Sequence, residues 1–245
     1  MVRLQEDMES RTDNTIAIIP SYNEARTIGD IVRSIVDMGM SVLVIDDGSY
    51  DNTERVALDG GAMVIRHRKN LGKGKSVRQG INYVMKKMKY DWIIIMDGDG
   101  QHHTEDIPVL MSATRSGDVD FVIGNRMHQT HSMPSLRYWT NRFTSWVLSA
   151  MCGYRIPDSQ CGFRLVRTSM LKDMKLTTEK YDIESEMIIQ AAENHQKIKS
   201  IPIRTIYGEE TSEINPIRDT VKFFTLVSKY HFTKNGRRGK KKTDG

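Results

Sequence analysis

Cysteine is nearly absent: Cys152 and Cys161 are the only two in 245 residues. Two isolated thiols supply neither a disulfide framework nor a zinc site, and they fit reduced thiols in a cytoplasmic protein. No apolar run approaches the ~20 residues that a membrane-spanning helix needs. The first 14 residues are polar and charged, lack the apolar core of a signal peptide, and read as a flexible terminus. A Gly-x-Gly-x-x-Gly turn after the first strand is missing, which argues against a dinucleotide site. The stretch Asn70-Leu-Gly-Lys-Gly-Lys-Ser76 invites a phosphate-loop reading, but the Walker pattern requires a glycine where Lys69 stands. That loop is left with two readings, a cation or backbone amides lent to a phosphate, or a solvated basic turn.

The body also lacks net charge. The formal +5 resides entirely in residues 231–245, where Lys234, Arg237, Arg238, Lys240, Lys241 and Lys242 face only Asp244. The basic balance therefore describes a tail, read as disordered, and says little about what residues 1–230 bind. A basic tail alone is weak support for nucleic acid, and nothing in the body resembles a nucleic-acid fold. No nucleic-acid partner is expected.

What is present is a regular alternation. Short β-branched runs at 15–19, 41–45, 63–65, 92–96 and 121–123 read as strands. Amphipathic or capped stretches at 25–38, from Asp51-Asn-Thr-Glu54 onward, at 75–88 and at 105–114 read as helices. The pattern predicts an α/β domain with a mostly parallel sheet covered on both faces. Beyond it come an aromatic-rich helix near 136–151, a strand near 162–166, a helix at 183–194, a strand at 199–206 and a last helix at 216–230. No linker or internal repeat divides residues 15–230.

The chain is organised around residues 93–103, Ile-Ile-Ile-Met-Asp-Gly-Asp-Gly-Gln-His-His. The apolar run reads as a buried strand that stops at Asp97 and Asp99. Two carboxylates on one short loop repel each other unless a cation lies between them, and hard oxygen ligands suit Mg²⁺ or Mn²⁺ shared with substrate phosphates. A solvated Asp-Gly turn is the plain alternative. Two other strand ends are polar and turn-prone, Pro20-Ser-Tyr-Asn-Glu24 and Asp46-Asp-Gly-Ser49. In a parallel sheet all three loops should meet at the carboxyl edge, where ligands bind. There Tyr22 could stack on a base, Asp47 could accept hydrogen bonds from a base or ribose, and Asp97 with Asp99 could hold a metal on a diphosphate.

Those three motifs, together with Asn70-Leu-Gly-Lys-Gly74, Gly124-Asn-Arg126, Asp158-Ser-Gln-Cys-Gly-Phe-Arg164 and Tyr181-Asp-Ile-Glu-Ser-Glu186, resemble the ordered motifs of family 2 glycosyltransferases. More narrowly they resemble the dolichyl- and polyprenyl-phosphate glycosyltransferases, whose catalytic fold is GT-A. The resemblance implies inverting transfer of a sugar from a nucleotide diphosphate sugar to a lipid phosphate. Carried over by position, Pro20, Tyr22, Glu24 and Asp47 would hold the nucleotide, with Asp97 beside it. Asp97, Asp99 and Gln101 would hold the metal and diphosphate, while Arg126 and Arg137 would approach the acceptor phosphate. Residues 15–125 would form the nucleotide-sugar half and 126–230 the acceptor half. The Gln160-Cys-Gly-Phe-Arg164 stretch leans toward glucosyl-type relatives and a UDP-sugar, with GDP-mannose and hexosamine donors left open. One departure stands out: Tyr207-Gly-Glu-Glu-Thr-Ser-Glu213 is acidic where relatives carry a basic residue, which leaves Arg204 or Arg218 as substitutes.

An acceptor phosphate is already anionic at pH 7 and needs no general base. An alternative acceptor (a glycan, a protein or a small molecule) would need one, and Asp158, Glu184 or Glu186 would be the candidates. A third reading is a non-catalytic module that binds membrane or nucleic acid. His102 and His103 are expected to make structural hydrogen bonds, and Glu184 and Glu186 to point toward and away from the edge of the core. Leu136, Tyr138, Trp139, Phe143, Trp146, Val147 and Leu148 share a helix with Arg137 and Arg142. Most of these apolar residues are expected to pack into the core. The helix and the polybasic tail would still suffice for peripheral contact with the cytoplasmic face of a membrane.

Overall fold

A computed structural model of the chain describes residues 14–115, 117–130, 133–178 and 183–206, together with Thr225, Ser228 and Tyr230. The short β-branched runs form the strands of one sheet: β1 (Thr15–Ser21), β2 (Ser41–Asp46), β3 (Met63–Arg66), β4 (Trp92–Ile95), β5 (Phe121–Asn125), β6 (Arg164–Arg167) and β7 (Ile198–Pro202). Their spatial order is β3-β2-β1-β4-β6-β5-β7. Every residue of β1 is buried. A strand with no exposed side has both faces of the sheet covered, which is why it reads as an unbroken apolar run.

The helices are α1 (Ile28–Asp37), α2 (Thr53–Asp59), α3 (Lys73–Lys87), α4 (Ile107–Ser112), α5 (Ser135–Cys152), α6 (Thr168–Leu171) and α7 (Ile183–Glu193). Of the apolar positions of α1, Ile28, Ile31, Val32 and Ile35 are buried, while Val36 is exposed. Gly80 lets α3 lie directly on the sheet, since a Cβ there would stand 2.6 Å from Ile18 Cγ2.

Several boundaries differ from expectation for local reasons. The first helix starts at Ile28 because the Thr27 and Ile28 amides both donate to the Glu24 carbonyl, closing a turn ahead of it. The helix expected over 105–114 is a 3₁₀ turn, Thr104–Asp106, followed by α4 with Pro108 in its first turn. A proline there gives up only an amide that had no helical partner. β7 stops at Pro202, and beyond it Thr205 makes a single bridge to His102. The short α6 was not anticipated. The helix at 216–230 (apart from Thr225, Ser228 and Tyr230), the tail and residues 1–13 lie outside the described residues.

One feature of the topology positions the site. β6 runs antiparallel to both of its neighbours, β4 and β5, whereas β1, β2, β3 and β4 are mutually parallel and β5 is parallel to β7. Arg164, the first residue of β6, is in register with Ile95 near the end of β4 and with Ile123 near the end of β5. The loop that enters β6 therefore reaches the same edge of the sheet as the loops that leave β1, β2, β4 and β5.

Candidate active site

The three polar loops do converge. The Asp47 amide donates to the Ser21 carbonyl at 2.8 Å, and the Asn23 amide donates to Ser49 Oγ at 2.9 Å. Thr27 Oγ1 donates to the Gly98 carbonyl at 2.5 Å, which joins the loop after β1 to the loop after β4. Pro20 is buried within β1 opposite Ile45, and the half-buried Tyr22 meets Tyr50 edge to face at 6.3 Å. Glu24 is half-buried, and its amide donates to Thr53 Oγ1 at 2.8 Å.

Asp47 fixes a fourth loop. Its Oδ1 accepts the Leu71 amide and its Oδ2 the Gly72 amide, each at 2.8 Å. His67 Nδ1 lies 2.7 Å from Oδ1, and the other ring nitrogen is 2.7 Å from Gln79 Oε1. A carboxylate at the end of β2 thus sets where α3 begins, two amides ahead of Lys73.

Lys73 is the residue that the failed phosphate-loop motif concealed. Its Nζ lies 2.6 Å from Asp97 Oδ1 and 2.7 Å from Glu184 Oε1, with only 17% of the side chain exposed. Burial alone would depress its ammonium, but the Asp97 and Glu184 carboxylates outweigh burial and raise it far above the usual lysine range. Burial likewise works against the Asp97 charge, and Lys73 and then His102 overcome it, so its carboxyl sits below the usual range. Both partners are charged at neutral pH. The reading of this loop as a solvated basic turn fails for Lys73.

Asp97 is enclosed from another side by Gly162, where a Cβ would stand 2.2 Å from Asp97 Oδ2. Only glycine leaves room for the carboxylate. Asp99 Oδ1 accepts the Gln101 amide at 2.9 Å, which shapes the turn that presents both carboxylates. His102 is buried with its Nε2 4.0 Å from Asp97 Oδ2, and burial pushes its pKa down to about 4. Its Nδ1 has no hydrogen-bond partner among the described residues, so the structural hydrogen bond expected of it is not made there. His103 Nδ1 is 3.5 Å from Glu105 Oε2.

Arg126 is 2% exposed and forks onto Asp158, Nε to Oδ2 at 2.8 Å and Nη2 to Oδ1 at 2.9 Å. It is no surface residue. Its charge helps to hold down both the Asp97 carboxyl and the His102 imidazolium, so it stands within electrostatic reach of the loop after β4. Arg137 is half-buried in the first turn of α5, one turn ahead of Asn141, whose Nδ2 donates to Asp158 Oδ1 at 2.7 Å. Arg204 is held by Asp106, with Nε donating to Oδ1 at 2.9 Å; Arg218 lies outside the described residues.

Two further expectations are corrected, for the Glu184–Glu186 pair and for the aromatic helix. Neither Glu184 nor Glu186 points away from the core: both are buried, Glu184 on Lys73 and Glu186 gathering the amides and hydroxyls of Thr177 and Thr178. Arg164, at a strand start, is wholly buried and gives its three donor nitrogens to the carbonyls of Cys161, Glu184 and Ser159. The aromatic helix turns most of its large apolar side chains outward. Leu136, Trp139, Phe143 and Trp146 are 63%, 64%, 46% and 67% exposed, while the opposite face, Asn141, Thr144, Ser145 and Leu148, is buried. That buried face is mostly polar because it holds Asp158 and Ser159 through hydrogen bonds.

Among the described residues, no three His, Cys, Asp or Glu side chains form a ready-made cation cage. The local set is Asp97, Asp99 and the side-chain carbonyl of Gln101, all hard oxygen donors and too few to complete a coordination sphere. That fits Mg²⁺ or Mn²⁺, which are held by one or two carboxylates and completed by substrate phosphates.

The glycosyl transferase family 2 model matches residues 16–175. The UDP-N-acetylglucosamine–dolichyl-phosphate N-acetylglucosaminyltransferase of Methanococcus voltae is 28% identical over 78% of this chain and 85% of its own. The undecaprenyl-phosphate mannosyltransferase of Micrococcus luteus is 28% identical over 79% and 84%. Among solved structures, glucosyl-3-phosphoglycerate synthase from Mycobacterium tuberculosis, in complex with Mn²⁺, UDP and phosphoglyceric acid, superposes with a TM-score of 0.68. That match has 16% identity and covers 84% of this chain and 75% of the other.

Proposed function

The chain belongs to glycosyl transferase family 2 and has the GT-A fold, and on that premise we propose that it transfers a sugar from a nucleotide diphosphate sugar to a dolichyl or polyprenyl phosphate, with inversion. That it is a glycosyltransferase follows from the family. Two of its relatives are named for transfer to dolichyl and undecaprenyl phosphate, which supports the lipid phosphate as acceptor. A UDP-sugar is favoured over GDP-mannose as donor.

The observation that carries the reading is the meeting, at one sheet edge, of the Asp97–Asp99 turn with two cations, the half-buried Lys73 and the buried Arg126. An anionic donor and an anionic acceptor need such an edge. Pro20, Tyr22, Glu24 and Asp47 would bind the nucleotide, with Tyr22 against the base and Asp47 holding the adjoining loop. Asp97, Asp99 and Gln101 would hold Mg²⁺ or Mn²⁺, which when bound supplies a Lewis acid for the departing diphosphate. Arg126 and Arg137 would orient the acceptor phosphate. Asp158 keeps the Arg126 fork at a fixed angle, so its charge is offered without reorganisation. Residues 15–125 then serve the donor and 126–230 the acceptor.

A non-phosphate acceptor would require a base, and the three carboxylates that could serve are committed. Asp158 is paired with Arg126, Glu184 with Lys73, and Glu186 with Thr177 and Thr178. A lipid phosphate, which needs none, fits this set better. Peripheral contact with the cytoplasmic face of a membrane is supported by the outward aromatic row of α5. Among the described residues, no helix is long and apolar enough to cross a membrane. The test is a panel of UDP- and GDP-sugars against a short polyprenyl phosphate, with Mn²⁺, Mg²⁺ or chelator, using wild type and Asp99→Asn. Transfer from at least one donor, lost with chelator and in the folded variant, is the expected result. Cation-independent turnover, or an intact Asp99→Asn enzyme, overturns it.

A further inference from the structure

Lys73 stands where a second cation has to arrive. Its backbone is anchored, because the two preceding amides are bound by Asp47, and only the side chain is left to move. Its ammonium touches Asp97 and Glu184 together. Glu184 Oε2 is buried and has no hydrogen-bond partner among the described residues. An ammonium has three donors, so the spare oxygen is an open seat next to the one already taken.

A divalent ion on Asp97 and Asp99 must share Asp97 with a positive charge 2.6 Å from its Oδ1. Two cations on one carboxylate repel each other, and most strongly where water is excluded. A nucleoside diphosphate changes the balance, since it adds negative charge between the two cations and offers Lys73 oxygens of its own. We propose that Lys73 is a resident counter-cation that blocks Asp97 until a divalent ion and a diphosphate arrive together, with Glu184 as its alternative seat. Cation uptake is then conditional on nucleotide, and by reciprocity nucleotide binding is conditional on the cation. This rests on the diphosphate-and-cation reading above and adds an order of assembly to it. In these terms Lys73 and Glu184 are positioning residues.

The test is Mn²⁺ titration followed by electron paramagnetic resonance, on the full chain, without nucleotide and with UDP or GDP. Lys73→Met is compared with wild type and with Lys73→Met/Glu184→Gln, which removes the buried pair together and guards against a folding defect from an unpaired Glu184. Without nucleotide, both variants should bind Mn²⁺ at least about tenfold more tightly than wild type. The tightening produced by nucleotide should shrink in both. A merely structural Lys73 would leave Mn²⁺ affinity unchanged or weaken it, and that result in both variants overturns the inference alone. Wild type that takes up no Mn²⁺ even with UDP or GDP overturns the underlying reading as well.

Discussion

Arg126 and Asp158 are joined three times over: the Arg126 amide and Nε both donate to Oδ2, at 3.0 and 2.8 Å, and Nη2 donates to Oδ1 at 2.9 Å. Asn141 adds a fourth bond to the same carboxylate. One side chain therefore ties the loop after β5, helix α5 and the loop before β6. Asp158→Ala would leave a guanidinium buried without its partner, a change that costs about 3–5 kcal/mol in comparable sites. Urea denaturation should show a loss of that order, and a loss under about 1 kcal/mol would mean that the guanidinium reaches water instead.

Gly162→Ala separates the site from the fold. The new Cβ would meet the Asp97 carboxylate at 2.2 Å, and the group best able to yield is that carboxylate, the end of a side chain. A displacement of about 1 Å at a reacting centre can cost on the order of a hundredfold. Turnover should fall by about that factor while the thermal midpoint moves by a few degrees at most. A wild-type rate in this variant would detach Asp97 from the chemistry.

The outward row on α5 makes a prediction about where the protein goes. Trp139→Ser/Trp146→Ser removes two rings that are mostly in water, so each change should alter stability by no more than about 0.5 kcal/mol. Co-sedimentation with anionic vesicles should nevertheless drop, because Trp anchors at membrane interfaces. Undiminished binding that disappears only when residues 232–245 are removed would assign the contact to the tail.

Glu186 sets a pH dependence. Burial pushes its carboxyl up, but hydrogen bonds from Thr178 and Thr177 prevail and leave it below the usual glutamate value of 4.5. A group depressed in the folded state stabilises above its unfolded pKa and stops doing so as pH falls through the folded one. Glu186→Gln should therefore be less stable than wild type at pH 7, with the gap closing below about pH 4. A gap that is constant with pH would mean that packing, not charge, is what Glu186 contributes.

The strands were legible because Ile and Val runs that end in Asp, Gly or Pro have few other uses, and the convergence of Tyr22, Asp47 and Asp97 followed from their lying at parallel strand ends. The reversal of β6 was not legible, since an apolar run carries no direction. Lys73 was left undecided because its partners, Asp97 and Glu184, are distant in the chain and no local pattern announces a contact across the sheet edge. The burial of Arg164 was not legible, because one of the three backbone carbonyls that make it possible, that of Glu184, lies on a separate element. The α5 rings have the spacing of a core stripe, and the sign that they face outward lies on the other side of the helix, in Asn141, Thr144 and Ser145.

The antiparallel insertion of β6 has a consequence for how such a chain can vary. Residues 126–163 leave the sheet beside Ile123 and return beside its neighbour in register, Arg164. The excursion begins and ends at almost the same point and is fastened at its neck by Arg126 and Asp158. Lengthening its exposed turns adds only the slowly growing entropy of a longer closed loop and leaves every strand pairing from β1 to β4 untouched, provided that Leu148, Ile156, Cys161 and Phe163 keep their places in the core. The excursion is thus a unit that can vary in length while the pairings of β1 to β4 stay in place, a fixed point on that side being Gly162 against Asp97.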